Sequence, residues 1–194
     1  MRLVERDEIL RIGEYEAVRA QFRARVIAEK KERRIKIGDR VSGVFETHDS
    51  VLLQVQEMLR TERITREEAI LHEIATYNEL VPKKDELSLT AMIEIDDKEE
   101  RERFLVQAKG IEAAFYVEVG GERVHGSIAP ERLLEDRASA VLYLKFALPP
   151  GLAEGVRSGK AEVAVGVEHA AYSARTALGP EVARALGADL REPS

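Results

Sequence analysis

Apolar residues recur along this chain with two different periods, and the change from one to the other falls near Pro82. From Glu14 to about Ile37, the residues Tyr15, Val18, Phe22, Val26, Ile27 and Ile35 return mostly at helical spacing, which predicts a long amphipathic helix stopped by Gly38. Val41, Gly43 and Phe45 then alternate with their neighbours, as a short strand over about 40–47 requires. His48, Asp49 and Ser50 are helix-opening types, and the helix they predict runs to about Arg63. On it Val51, Leu52, Val55, Met58 and Leu59 share one face, with Glu62 near the centre of that face and Glu57 and Arg60 pointing away. Thr65 followed by Glu68 reads as a capping box for a further helix, on which Ile70, Ile74, Tyr77 and Val81 form the apolar stripe. Glu73 flanks this stripe, His72 faces the other way, and Pro82 closes the unit.

Beyond Pro82 the period falls to two. Leu87, Leu89, Ala91, Ile93 and Ile95 alternate with polar residues as a half-buried strand. Asp96 or Asp97 opens a helix that Gly110 ends. Residues 114–119 and 122–128 flank Gly120-Gly121, a tight-hairpin signal, and AVLYLKFALP and AEVAVGVEH supply two more strands. A short helix is expected from about Pro180 to Leu190. The fold class is therefore α+β: an N-terminal helical segment, about 1–82, packed with a largely antiparallel sheet of about five strands from the sheet-rich part, about 83–194. One domain over 1–194 is the expectation.

Composition narrows the chemistry. The chain has no cysteine, so any metal (iron, manganese or zinc) must be held by oxygen or imidazole, and no iron–sulfur cluster can be held through thiolates. No window is apolar enough to span a membrane, and the charged opening MRLVERDEILRIG lacks a signal-like apolar run, which together predict a cytoplasmic protein. A net charge of −6 argues against a nucleic-acid partner. The segment 11–40 is nonetheless basic, which suits a solvated helix end or a patch for an acidic partner.

Phosphate-loop, dinucleotide, serine-hydrolase and zincin fingerprints are all absent. What stands out is a carboxylate-rich stretch in which Glu46, Glu62, Glu73 and His72 are the candidate metal ligands. The competing reading of the same acids is a polar network neutralised by Arg40, Arg60 or Arg63. Near the end of the last expected strand, His169 and Tyr172 are placed to line a pocket as a titrating imidazole and a phenol donor.

The segments FRARVIAEKKERRIKIGDRVSGVFET, QEMLRTERI, HEIATYNELVP and VEHAAYSART, with the later LGADL, together resemble the uncharacterised bacterial family catalogued as domain of unknown function number 3501. The likeness covers most of the chain. It implies Glu46, Gln56, Glu57, Arg60, Glu62, His72, Glu73, Tyr77 and Asn78, with His169 and Tyr172, as site positions; His169, Tyr172, Tyr77, Asn78 and Arg60 are the ones expected to touch a ligand. The resemblance further implies an accessory role in redox or peroxide-stress metabolism, beside rubrerythrin-like and iron–sulfur oxidoreductase partners.

Two functional expectations follow. The first is an accessory or partner-binding protein, joined to protein partners or to a second copy of itself as a homo-oligomer or dimer. It requires acids satisfied by arginine and an apolar patch or sheet edge free for a partner. The alternative is a metal- or ligand-dependent oxidoreductase-like enzyme, which requires Glu46, Glu62, Glu73 and a histidine to converge on one cavity.

Overall fold

The computed structural model describes residues 1–191 as six α-helices and eight strands, the strands forming two antiparallel four-stranded sheets. An N-terminal arm over 1–11 precedes α1 (Ile12–Lys31), β1 (Arg34–Ile37), β2 (Val41–Phe45), α2 (His48–Thr61) and α3 (Glu67–Asn78). Then come β3 (Glu86–Ile93), α4 (Lys98–Gln107), β4 (Phe115–Val119), β5 (Glu122–His125) and β6 (Val141–Ala147). The chain ends its described part with α5 (Pro150–Arg157), β7 (Val163–His169), β8 (Tyr172–Ala177) and α6 (Pro180–Asp189). No helix among these residues is long and apolar enough to cross a membrane.

The first sheet has the order β1-β2-β3-β6 and the second β5-β4-β7-β8. They share one apolar core. Inward side chains such as Leu87, Leu89 and Ala91 from β3 and Leu142, Leu144 and Phe146 from β6 meet Phe115, Val117, Val165 and Val167 from the second sheet. Each of the Leu, Val and Phe side chains among them contributes about 1.5–3 kcal/mol by leaving water, so this shared core dominates the stability of the fold. Phe104 and Leu105 of α4, Val156 of α5 and Leu186 of α6 close it.

The sheets are joined at both sides. At one, Ser127 just past β5 makes an antiparallel bridge to Lys145 of β6. At the other, the Tyr172 hydroxyl of β8 donates to the Ile37 carbonyl at 2.6 Å and accepts from the Arg40 N–H at 3.1 Å. That phenol therefore fastens β8 to the β1–β2 turn, where an open sheet edge would otherwise offer unpaired backbone groups.

The other face of the first sheet packs on the helices. Val51, Val55 and Leu59 of α2, Ile70 and Ile74 of α3, and Met1, Val4 and Ile9 of the arm form a second apolar cluster with Tyr143 of β6 against it. β3 is consequently buried on both faces along most of its length.

Several sequence expectations need correction. The long first helix stops at Lys31, and residues 34–37 are strand instead. Ile35 and Ile37 are inward and Arg34 and Lys36 outward, a period-two pattern hidden in the tail of a helical one. α3 opens at Arg66 without a side-chain cap, so the Thr65–Glu68 capping box does not form. The VEHAAYSART segment is a tight hairpin, with β8 as an additional strand pairing His169 with Tyr172. Gly120 and Gly121, at φ +58° and +90°, make the primed turn expected between β4 and β5.

Candidate functional site

The polar residues of the 46–60 stretch lie where the arm and α1 meet α2. Two carboxamides hold the arm. Gln56 accepts from the Leu10 N–H at 2.7 Å and donates to the Leu10 carbonyl at 3.3 Å. Asn78 treats Val4 in the same way, at 2.9 Å in both directions. Each amide thus completes one extended peptide unit as a neighbouring strand would, leaving neither partner unsatisfied.

α1 runs antiparallel to α2 and is held by a ladder of charges. Glu57 accepts from the Tyr15 hydroxyl at 2.7 Å and from Arg19 through a two-nitrogen fork at 2.7 and 2.8 Å, with Arg23 at 3.9 Å. Arg60 donates to Glu16 at 2.5 Å, Arg25 pairs with Asp49 and Glu29, and Lys30 stands 3.8 Å from the buried Glu46. Glu46 itself accepts from Ser50 Oγ at 2.5 Å and Thr90 Oγ1 at 2.7 Å, tying the start of α2 to β3. Beneath this ladder the apolar contact is thin: Tyr15 and Val26 are the buried residues of α1, packing on Leu53 with Phe22 alongside.

The Arg19 guanidinium holds the Glu57 carboxyl down at about 2, against partial burial that pulls it up, with the Tyr15 hydroxyl and the charges of Arg19 and Arg23 helping. Burial first, and then the bond to Glu57, push the Tyr15 phenol up. Because the folded-state value of Glu57 lies below the ordinary 4.5, its contribution is complete above pH 4.5 and is lost as pH falls through about 2. The Glu57 side chain is 27% exposed, so screening trims this to roughly 1–2 kcal/mol. Urea midpoints measured from pH 5 down to about 2 are expected to fall less steeply in Glu57→Gln than in the wild type; parallel curves would remove Glu57 from the acid response.

Two concavities border this face. A polar cavity of about 500 Å³ is lined by Met1, Arg2, Glu29, Arg33, Thr47, His48, Asp49 and Asp189. In its wall His48 lies between two carboxylates, with Nδ1 2.9 Å from Asp49 and Nε2 3.2 Å from Glu8. Burial raises the Asp49 carboxyl, but His48 and Arg25 outweigh it and leave the group below its usual range. Arg33 forks onto Asp189 at 2.7 and 2.8 Å. The second concavity, about 320 Å³, is an apolar groove between the arm, α1 and α2, lined by Leu10, Tyr15, Val18, Phe22, Leu52 and Gln56 among others. Leu10 and Val18 are open to solvent there at 38% and 42%.

The four expected metal ligands do not come together. α2 ends at Thr61, so Glu62 caps the helix from outside its apolar face and is exposed. His72 is exposed and Glu73 half-buried on the outer flank of α3, while Glu46 points into the α2–β3 junction. Among the described residues no group of three or more His, Cys, Asp or Glu is arranged to hold a metal ion.

The residues expected to touch a ligand are likewise dispersed. Arg60 is on α1's ladder, Asn78 on the arm, and Tyr77 packs half-buried beside the α2–α3 cluster. His169 Nδ1 accepts from the Ala171 N–H at 3.1 Å within the hairpin, and the Tyr172 hydroxyl is taken up at the sheet seam. His48 and Asp49 read in the sequence as helix openers and not as members of a charged cluster, and Arg33 and Asp189 carry no pattern that pairs them. A usable signal did exist: Asp49, Leu53, Glu57 and Arg60 recur at 4, 4 and 3 residues, one face of α2 turned towards a charged neighbour.

A family model described as protein of unknown function, DUF3501, matches residues 3–190. Among solved structures, the chain is similar to a crystal structure of a novel protein of unknown function from Burkholderia pseudomallei. The two are 32% identical with a TM-score of 0.90, over 97% of this chain and 100% of that one. No curated protein matches the chain.

Proposed function

Given that the chain belongs to the DUF3501 family of proteins of unknown function, we propose that it is an accessory protein that works by binding a protein partner rather than by catalysis. The observation that carries this reading is how the distinctive polar residues are spent. Gln56, Glu57, Arg60 and Asn78 each engage the arm or α1, while the groove beside them leaves Leu10 and Val18 in water. A site built for turnover aims its acids at a common point, whereas here Glu46 is taken up by two hydroxyls, Glu57 by an arginine and a phenol, and Glu62 and Glu73 lie apart from both on the helix surfaces. Exposed apolar side chains around a groove are in turn the usual mark of a surface that meets another protein. The setting we propose is redox or peroxide-stress metabolism, which rests on the family resemblance, in the cytoplasm, which rests on the charged opening and the lack of a membrane-spanning window in the sequence.

The test is site-specific photo-cross-linking of the full chain in its native cells. A photoreactive side chain at Val18 is expected to give one discrete protein adduct, lost when Leu52 is changed to Asp, and a probe at the distant, exposed Glu99 is expected to give none. Equal products from both positions would remove the groove from the proposal. Near-stoichiometric iron, manganese or zinc in the purified protein, with a turnover lost on Glu46→Gln, would instead establish the oxidoreductase-like alternative.

A further inference from the structure

From the contacts of α1 we infer that this helix is an electrostatic latch: it undocks from α2 as a unit when its ion pairs are screened or competed away, while the arm and the sheets stay in place. A 20-residue helix about 30 Å long ordinarily docks by an apolar stripe. α1 buries only Tyr15 and Val26, with Phe22 partly covered. Its hold on the body comes instead from Glu16 to Arg60, Tyr15 and Arg19 to Glu57, Arg25 to Asp49 and Lys30 to Glu46. Most of these groups lie near the surface, where screening by salt acts strongly.

The segments on either side of α1 are anchored differently. On the arm, Met1, Val4 and Ile9 are buried in the α2–α3 cluster, and Gln56 and Asn78 clamp it by uncharged amides. After α1, Ile35 and Ile37 of β1 belong to the shared core of the sheets. The helix is therefore a charged span between two apolar anchors, and local opening follows the weakest attachment. Lifting it uncovers Leu53 and widens the groove at Leu52, so an acidic surface that draws Arg19 and Arg25 away from Glu57 and Asp49 opens the apolar face in the same act.

Hydrogen exchange of the full chain, resolved by element in 0.1 and 1 M KCl, tests this. Over that range the Debye length falls from about 10 Å to about 3 Å, and α1 amides are expected to exchange roughly tenfold faster while those of the arm, α2 and β3 hold their rates. Glu57→Gln keeps an acceptor for Tyr15 but removes the charge, and is expected to give α1 the fast rate already at 0.1 M. Unchanged protection of β7 amides certifies that this variant is folded. Arg60→Gln, at the exposed end of the ladder, is the milder variant and is expected to fall between the two. α1 protection that is the same at both salt concentrations, or that is lost only together with α2 and β3, would overturn the latch.

Discussion

Gly38→Ala is expected to destabilise the protein by about 3 kcal/mol or more, lowering Tm by roughly 6–12 °C for a chain of this size. Gly38 sits in the β1–β2 turn with φ at +71°, a conformation that costs an alanine about 1 kcal/mol. The larger part is steric: an added Cβ would stand 2.2 Å from the Tyr172 hydroxyl and 2.9 Å from Ala174 Cβ. Tyr172 cannot retreat without giving up its bonds to the Ile37 carbonyl and the Arg40 N–H, and those bonds fasten the two sheets. Each lost bond adds about 1 kcal/mol, more where the group stays buried. A double-mutant cycle separates the two terms. In a Tyr172→Ala background, Gly38→Ala should cost only about 1–2 kcal/mol, because the turn conformation and the contact with Ala174 Cβ remain while the larger clash with the phenol is gone. Full additivity would mean that the phenol and the turn are energetically independent.

Arg33→Ala is expected to cost about 3–5 kcal/mol. Arg33 and Asp189 join the turn between α1 and β1 to the end of α6, and both side chains are largely buried, at 14% and 9% exposure. Asp189 is the last residue of α6, where the free carbonyls already disfavour a negative charge. Without the guanidinium its carboxylate would be left unpaired at the cavity wall, and Glu29 would lose a donor on its carbonyl. Replacing the pair together, as Arg33→Met with Asp189→Leu, should recover most of the loss, since two apolar groups impose no desolvation penalty. Chemical unfolding of the three variants measures this, and a double variant as weak as Arg33→Ala would show that the bidentate fork itself is worth more than the charge it neutralises.

How far the sequence could be read depended on whether a signal was local. The β3 strand, the Gly120-Gly121 hairpin and the Asp97 cap of α4 were legible because each is set by a few neighbouring residues and their intrinsic geometry, whereas the one exposed face that the β3 alternation predicts is covered in the fold. Glu62 misled because helical phase was extended past the true end of α2, and a few residues of overrun turn an exposed cap into an imagined core position. The β1 strand was hidden for the same reason, its two inward isoleucines falling in step with the preceding helix.

The site shows the boundary most clearly. Its polar residues were recognisable as unusual in Gln56, Glu57, Arg60, Asn78 and Tyr172, yet their partners lie 46, 42, 44, 74 and 135 positions away. By itself the sequence determined the α+β class, the antiparallel pairing and the absence of thiol chemistry, because local periodicity and composition suffice for these. Only the tertiary structure decided that Glu46 and Glu57 would meet hydroxyls and an arginine instead of the other acids, that the strands would divide into two sheets around one core, and that a phenol would fasten their seam. Those outcomes depend on which surfaces the chain brings together over long separations, and no short-range propensity encodes that choice.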